Sequence, residues 1–340
     1  MPTQSMLEIG GQSIAPGSRV KLELPVAQLA TGTPVAMPIQ VIRSRKPGPV
    51  VFVSAAIHGD ELNGVEIIRR LIAKAPKITA GSLIMVPMVN VFGVHTQSRY
   101  TPDRRDLNRT FPGSEKGSLA GRLAHIFMTE IVDQCDYGID LHTGAIHRSN
   151  LPQIRANLKD PETRQLAEAF GVPVILNSEL RDGSLRQIAA DQGTRILLYE
   201  AGEALRFDEL SIRAGVKGVQ NVLAALGMMR KRSRKATPEP FAANKSHWLR
   251  APVSGIVHDL KRLGDWVEEG EALAEIGDPY GEVTATLCAT RSGVIIGQQN
   301  IPLVQEGDAM VHVAMFDEED MGVADSIELM QDTLLDSPVS

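Results

Sequence analysis

The stretch that decides the fold is "SAAIHGDELNGVEIIRRL", residues 54–71. It closes the apolar, β-branched run "PVVFVSAAI" (49–57), which has the composition of a strand buried on both faces. The run stops at His58, a glycine and two acids follow, and from Glu61 apolar residues recur at helical spacing: Leu62, Val65, Ile68, Leu71 and Ile72. A buried strand, a polar turn and an amphipathic helix make one βα unit.

The same unit recurs downstream. "SLIMVPMVN" (82–90) reads as a second buried strand, and "LAGRLAHIFMTEIVDQC" (119–135) as a helix. "YGIDLH" (137–142), "VPVILN" (172–177) and "RILLYEAG" (195–202) are short apolar runs with polar ends. Residues 208–232 are a long helical stretch interrupted at Gly215 and Gly218. Alternation of this kind over about 49–232 predicts an α/β layer structure around a mixed sheet. Residues 1–48 alternate weakly and read as short strands.

Beyond the basic, Pro-containing segment 231–247, read as a linker, the pattern is all β and repeats. "APVSGIVHDLKRLGDWVEEGEALAEI" (251–276) is followed by "ATRSGVIIGQQNIPLVQEGDAMVHVA" (289–314). The two halves resemble a biotinyl/lipoyl barrel-sandwich. That family carries a lysine on the hairpin between halves; "IGDPYGEVTA" (276–285) has none, which speaks against a carrier function. The expected division is a catalytic domain over 1–240, a β domain over 246–317 and a loosely held acidic tail over 318–340.

Composition bounds the function. The chain has 340 residues, 43% hydrophobic and 22% charged, with a net charge of −6 and 4% aromatics. A mildly acidic, aromatic-poor chain predicts no nucleic-acid partner. No apolar run approaches the roughly 18 residues of a membrane span, and residues 1–17 lack the pattern of a signal peptide. Two distant cysteines, Cys135 and Cys288, exclude a disulfide framework and a cysteine-based zinc site. A cytoplasmic location is expected, with assembly into a homo-oligomer left open.

Three apolar runs end in a metal-competent or acid–base residue: His58 with Glu61, His142 in "GIDLHTG", and Glu200 in "ILLYEAG". Strand ends in open α/β sheets form the ligand crevice. A catalytic zinc takes three protein ligands, often two histidines and a glutamate, and leaves a position open. His58 and Glu61 share a tight turn, and His142 adds a third ligand from a distant strand. Asp140 either orients a ligand histidine or caps a turn.

Taken in order, "HGDE" (58–61), "RDLNR" (105–109), "DLHTG" (140–144) and "YEAG" (199–202) resemble the succinylglutamate desuccinylase/aspartoacylase family of zinc carboxypeptidase-like hydrolases. The resemblance covers roughly 45–230 and extends to the appended β domain. It implies zinc as cofactor, with His58, Glu61 and His142 as ligands. It implies Glu200 as the general base that activates the zinc-bound water, and Asn108 and Arg109 as the grip on a substrate carboxylate. Arg99, in "SRY", matches the arginine that polarises the scissile carbonyl.

Arg109's planar fork suits a carboxylate. His147, Arg148 and Arg155, in "HRSNLPQIRANL" (147–158), either line the substrate site or lie on a surface loop. "QSRYTPDRRDLNRTFPG" (97–113) reads as an active-site loop. The expected activity is zinc-dependent hydrolysis of a small N-acyl amino acid. The alternatives are a metallocarboxypeptidase acting on short peptides and a non-catalytic binding protein.

Overall fold

The computed structural model describes residues 6–178, 182–230, 240–316 and 322–335. After a short antiparallel pair near the start (Glu8–Ile9 with Gln12–Ser13), β1 (Arg19–Gln28) and β2 (Pro34–Arg43) form a long antiparallel ribbon. The apolar run before His58 becomes β3 (Val50–Ala55) and leads through the polar turn into helix α1 (Asn63–Lys74). β4 (Ser82–Val86), helix α2 (Leu119–Glu130) and β5 (Tyr137–Gly144) continue the alternation.

Segment 147–158 is not a surface loop. It forms β6 (Arg148–Ala156), with Leu151 and Ile154 buried. Then come helix α3 (Pro161–Phe170), β7 (Val174–Asn177), helix α4 (Leu185–Asp191), β8 (Arg195–Glu203) and helix α5 (Glu209–Ala225).

Helix α5 is not interrupted by its glycines. A Cβ on Gly218 would lie 2.0 Å from the Phe170 ring, and one on Gly215 would lie 2.3 Å from Ile67. The glycines are there for close helix packing, so helical spacing continues through them.

β3, β4, β5 and β8 are parallel neighbours, and β6 runs antiparallel to β8. Helices cover both faces. On one, Val51, Val53 and Ala55 of β3 pack with Ile67, Ile68 and Leu71 of α1 and with residues of α3 and α5. On the other, Phe52 packs with Leu123, Phe127 and Leu185. Two covered faces explain why these strands read as unbroken apolar runs.

The C-terminal repeat forms β9 (Lys245–Arg250), β10 (Gly255–Asp259), β11 (Ala272–Gly277), β12 (Val283–Cys288), β13 (Gly293–Gln299) and β14 (Ala309–Met315). It is not a separate bead. β13 pairs with β6, so among the described residues one sheet of 13 strands has the central order β9-β14-β13-β6-β8-β5-β3-β4-β2-β1.

Of the expected linker, 231–239 lies outside the described residues, and Phe241–Ala243 forms a strand paired with β7. The tail is not simply a loose acidic end. Although 317–321 and 336–340 lie outside the described residues, Val323–Leu335 is helix α6, with Val323, Ile327 and Leu334 buried. No helix among the described residues is long and apolar enough to cross a membrane.

Candidate metal centre and active-site cavity

The polar ends of β3, β5 and β8 meet at one point. β5 lies between the other two, with Ser54 opposite Asp140 and His142 opposite Glu200. The turn after β3 brings His58 and Glu61 to the same place. α1 begins directly against the strands: a Cβ on Gly64 would lie 2.7 Å from both Ala55 Cβ and Leu141 Cβ. Only a glycine lets the helix start so close, and that approach seats Glu61 between the two histidines.

The Glu61 carboxylate faces His58 Nδ1 through Oε1 at 2.7 Å and His142 Nδ1 through Oε2 at 2.7 Å. Oε2 also accepts from the Thr143 amide at 3.1 Å. Ligand atoms of His58, Glu61 and His142 all lie within 4.8 Å of one another, and all three residues are buried. The far nitrogen of each ring meets a carboxylate. His58 Nε2 is 3.1 Å from Asp106 Oδ1, and His142 Nε2 is 2.7 Å from Asp140 Oδ2, whose Oδ1 accepts from Ser54 Oγ. This is the arrangement that orients metal-ligating histidines.

Charge points the same way. Burial drives Glu61 up, but His58 and His142 offset this and hold it well below the usual carboxylate range. Burial drives His142 down, yet Asp140 and Glu61 raise it well above the ordinary imidazole value, and Glu61 and Asp106 raise His58. A buried ring of carboxylates thus favours positive charge at the point where both Nδ1 atoms aim. The donor set of two imidazoles and one carboxylate fits a divalent zinc-type ion.

The centre opens into a cavity of about 250 Å³ whose lining includes Arg99, Asn108, Arg109, Arg148, Glu200 and Trp248. Arg99 reaches both Glu61 Oε1 (3.3 Å) and Asp106 Oδ2 (3.0 Å). Asn108 is buried and accepts from the Leu185 amide at the start of α4. Arg109 is exposed rather than buried, and donates to the Asn108 carbonyl at 2.6 Å. Arg148 lies over the Trp248 ring, 5.2 Å from its centre. His147 is exposed and is not among the lining residues; its amide donates to Glu203.

Several residues of the site escape sequence reasoning. Asp106 sits in "RDLNR" itself, where the motif marks the following Asn and Arg rather than the acid. Asn150, Arg186 and Trp248 carry no local signal, because only the pairing of distant strands brings them to the wall.

The model of the succinylglutamate desuccinylase/aspartoacylase catalytic domain matches residues 47–226. The chain belongs to this family of deacylases. It is similar to the N-alpha-acetyl-L-2,4-diaminobutyric acid deacetylase of Halomonas elongata, 27% identical over 310 residues, covering 86% of this chain and 90% of that protein. Among solved structures, a succinylglutamate desuccinylase/aspartoacylase from Rhodobacter sphaeroides is 25% identical, with a TM-score of 0.76 over 88% of this chain and 96% of that one. The product-bound ectoine utilization protein EutE from Ruegeria pomeroyi shares the fold at 24% identity, with a TM-score of 0.78 over 87% of this chain and 94% of its own.

Proposed function

We propose that this protein is a zinc-dependent deacylase that hydrolyses the amide bond of small N-acyl amino acids. The observation that carries the reading is the convergence of His58, Glu61 and His142 in a cavity that also holds Glu200 and several arginines. The similar Halomonas elongata protein, named for deacetylating an N-acetylated diamino acid, supports the same substrate class. The cavity volume falls below the roughly 300–1,000 Å³ of typical small-molecule sites, which favours a small metabolite over a peptide.

His58, Glu61 and His142 would hold the ion, and Asp106 and Asp140 would fix the two rings. What a bound zinc supplies is Lewis acidity, which makes water a competent nucleophile near neutral pH. Glu200 removes a proton from the attacking water as the water oxygen bonds to the acyl carbon. The same carboxyl then delivers that proton to the amine nitrogen as the C–N bond breaks. Arg99 faces the oxygen on which negative charge develops. Arg109, with Asn108 beside it, receives the substrate carboxylate, and Arg148 adds positive charge to the cavity lining.

The test is Glu200→Gln with a panel of N-acetyl and N-succinyl amino acids. The variant should keep its metal and lose at least about 10²-fold in turnover. Retained turnover would remove Glu200 from the mechanism. Loss of the metal would make it a ligand instead of a base.

A further inference from the structure

Two side chains of β6 reach Glu200 from the cavity wall. Asn150 Nδ2 donates to Glu200 Oε2 at 2.7 Å. Arg155 Nη1 lies 3.9 Å from the other oxygen, Oε1. Asn150 is buried at 6% exposure, and Arg155 Nε is buried with no hydrogen-bond partner among the described residues.

The ladder between β8 and β6 breaks register between Glu200 and Gly202, where Gly202 pairs with Asn150. Irregularities of this kind re-aim a side chain next to an active site. On its other edge, β6 is bonded to β13, with Gly297 opposite Asn150 and Gln298 opposite Ser149. The backbone at Asn150 is therefore fixed from both sides, on one side by the C-terminal β region.

We propose that Asn150 is a positioning residue for the deacylation base, and that the C-terminal β region holds it in place. This rests on the reading of Glu200 as the base. A glutamate has two equivalent oxygens and a broad terminal torsion. A base that turns freely spends little time with either oxygen in line with the attacking water. The Asn150 amide can only donate from Nδ2, so it takes one carboxylate oxygen and leaves Oε1 to exchange the proton. Arg155 Nη1 lies 3.9 Å from that oxygen, beyond hydrogen-bond length, so it does not compete for the proton. The β domain thereby gains a part in the chemistry without touching substrate: it secures the strand that orients the base.

The experiment is a double-mutant cycle. Asn150→Leu keeps the bulk and removes the donor. It should lower kcat by about 10²-fold, as expected when a reacting group is misplaced by about 1 Å. KM, metal content and thermal midpoint should stay near those of the parent. Added to Glu200→Gln, Asn150→Leu should cause no further loss, because its effect runs through Glu200. If Asn150→Leu melts, Asn150→Asp, which has the same shape but no amide donor, must show the same fall in kcat with substrate affinity unchanged by calorimetry. Parental kcat in a folded Asn150 variant overturns the proposal, as does an equal loss in both backgrounds. Full turnover of Glu200→Gln would instead overturn the reading of the base.

Discussion

Asp140 offers a direct test of how the proposed metal centre is held. Its carboxylate is buried, accepts from Ser54 Oγ at 2.8 Å and faces His142 Nε2 at 2.7 Å. Asp140→Ala leaves two buried polar groups without a partner, at about 1–3 kcal/mol each. The Ser54 hydroxyl can rotate, so the lower part of that range applies to it, and a total loss of about 2–4 kcal/mol in stability follows. The freed His142 ring also loses its fixed orientation, and metal affinity should fall about 10- to 100-fold.

Asp140→Asn separates the causes. Its amide oxygen still accepts from His142, but the charge is gone, so its loss should be near the small end, about tenfold. Chelator competition gives the metal dissociation constants, and urea unfolding of the metal-free proteins gives the stability term. Metal affinity within about twofold of the parent in both variants would refute the idea that Asp140 holds the ligand ring.

Two further outcomes are expected. Arg109→Ala should raise KM for substrates with a free carboxylate by about 10- to 100-fold, in line with one charged hydrogen bond of about 1.5–3 kcal/mol. Carboxamide analogues should hardly change, and equal losses for both would make Arg109 a support for its loop. Glu209 is held down to about 2, from an ordinary 4.5, by hydrogen bonds from Arg70 and Arg213. A lowered folded-state pKa means the stabilisation is present above 4.5 and is lost as pH falls towards 2. Glu209→Gln should therefore flatten the urea-midpoint curve over that acid window, and parallel curves for variant and parent would count against it.

The central βα units were legible because both faces of β3, β4 and β5 are covered, which leaves an apolar run with no polar interruption. That His58, Glu61, His142 and Glu200 line one cavity was legible for a related reason: all four stand at or just after the point where such a run stops. Other features depend on information that apolar periodicity does not carry. Helix α3 is short and is announced by its caps, with Asp160 accepting from the Thr163 amide and Pro161 at its start. β6 carries Arg148, Ser149, Asn150, Gln153 and Arg155, so it reads as a polar loop. It is a strand because its polar side chains face the cavity or another strand, as Gln153 does in donating to the Ile296 carbonyl. The exposure of Arg109 is not legible either, because a motif gives the residue but not its depth.

The seam between β6 and β13 has a consequence for how the chain can be divided. A shortened protein ending near residue 240 would leave the Arg148–Asn150 end of β6 as a bare edge, although Gln153–Ala156 would keep their pairing with β7. Bare edges recruit other strands and promote aggregation. It would also lose Leu334 from the main core, where α6 packs. The region that reads as an appendage in the sequence is thus a closing edge of the fold. Transplanting the catalytic half alone onto another scaffold would need a replacement strand for β13 before it could hold its shape.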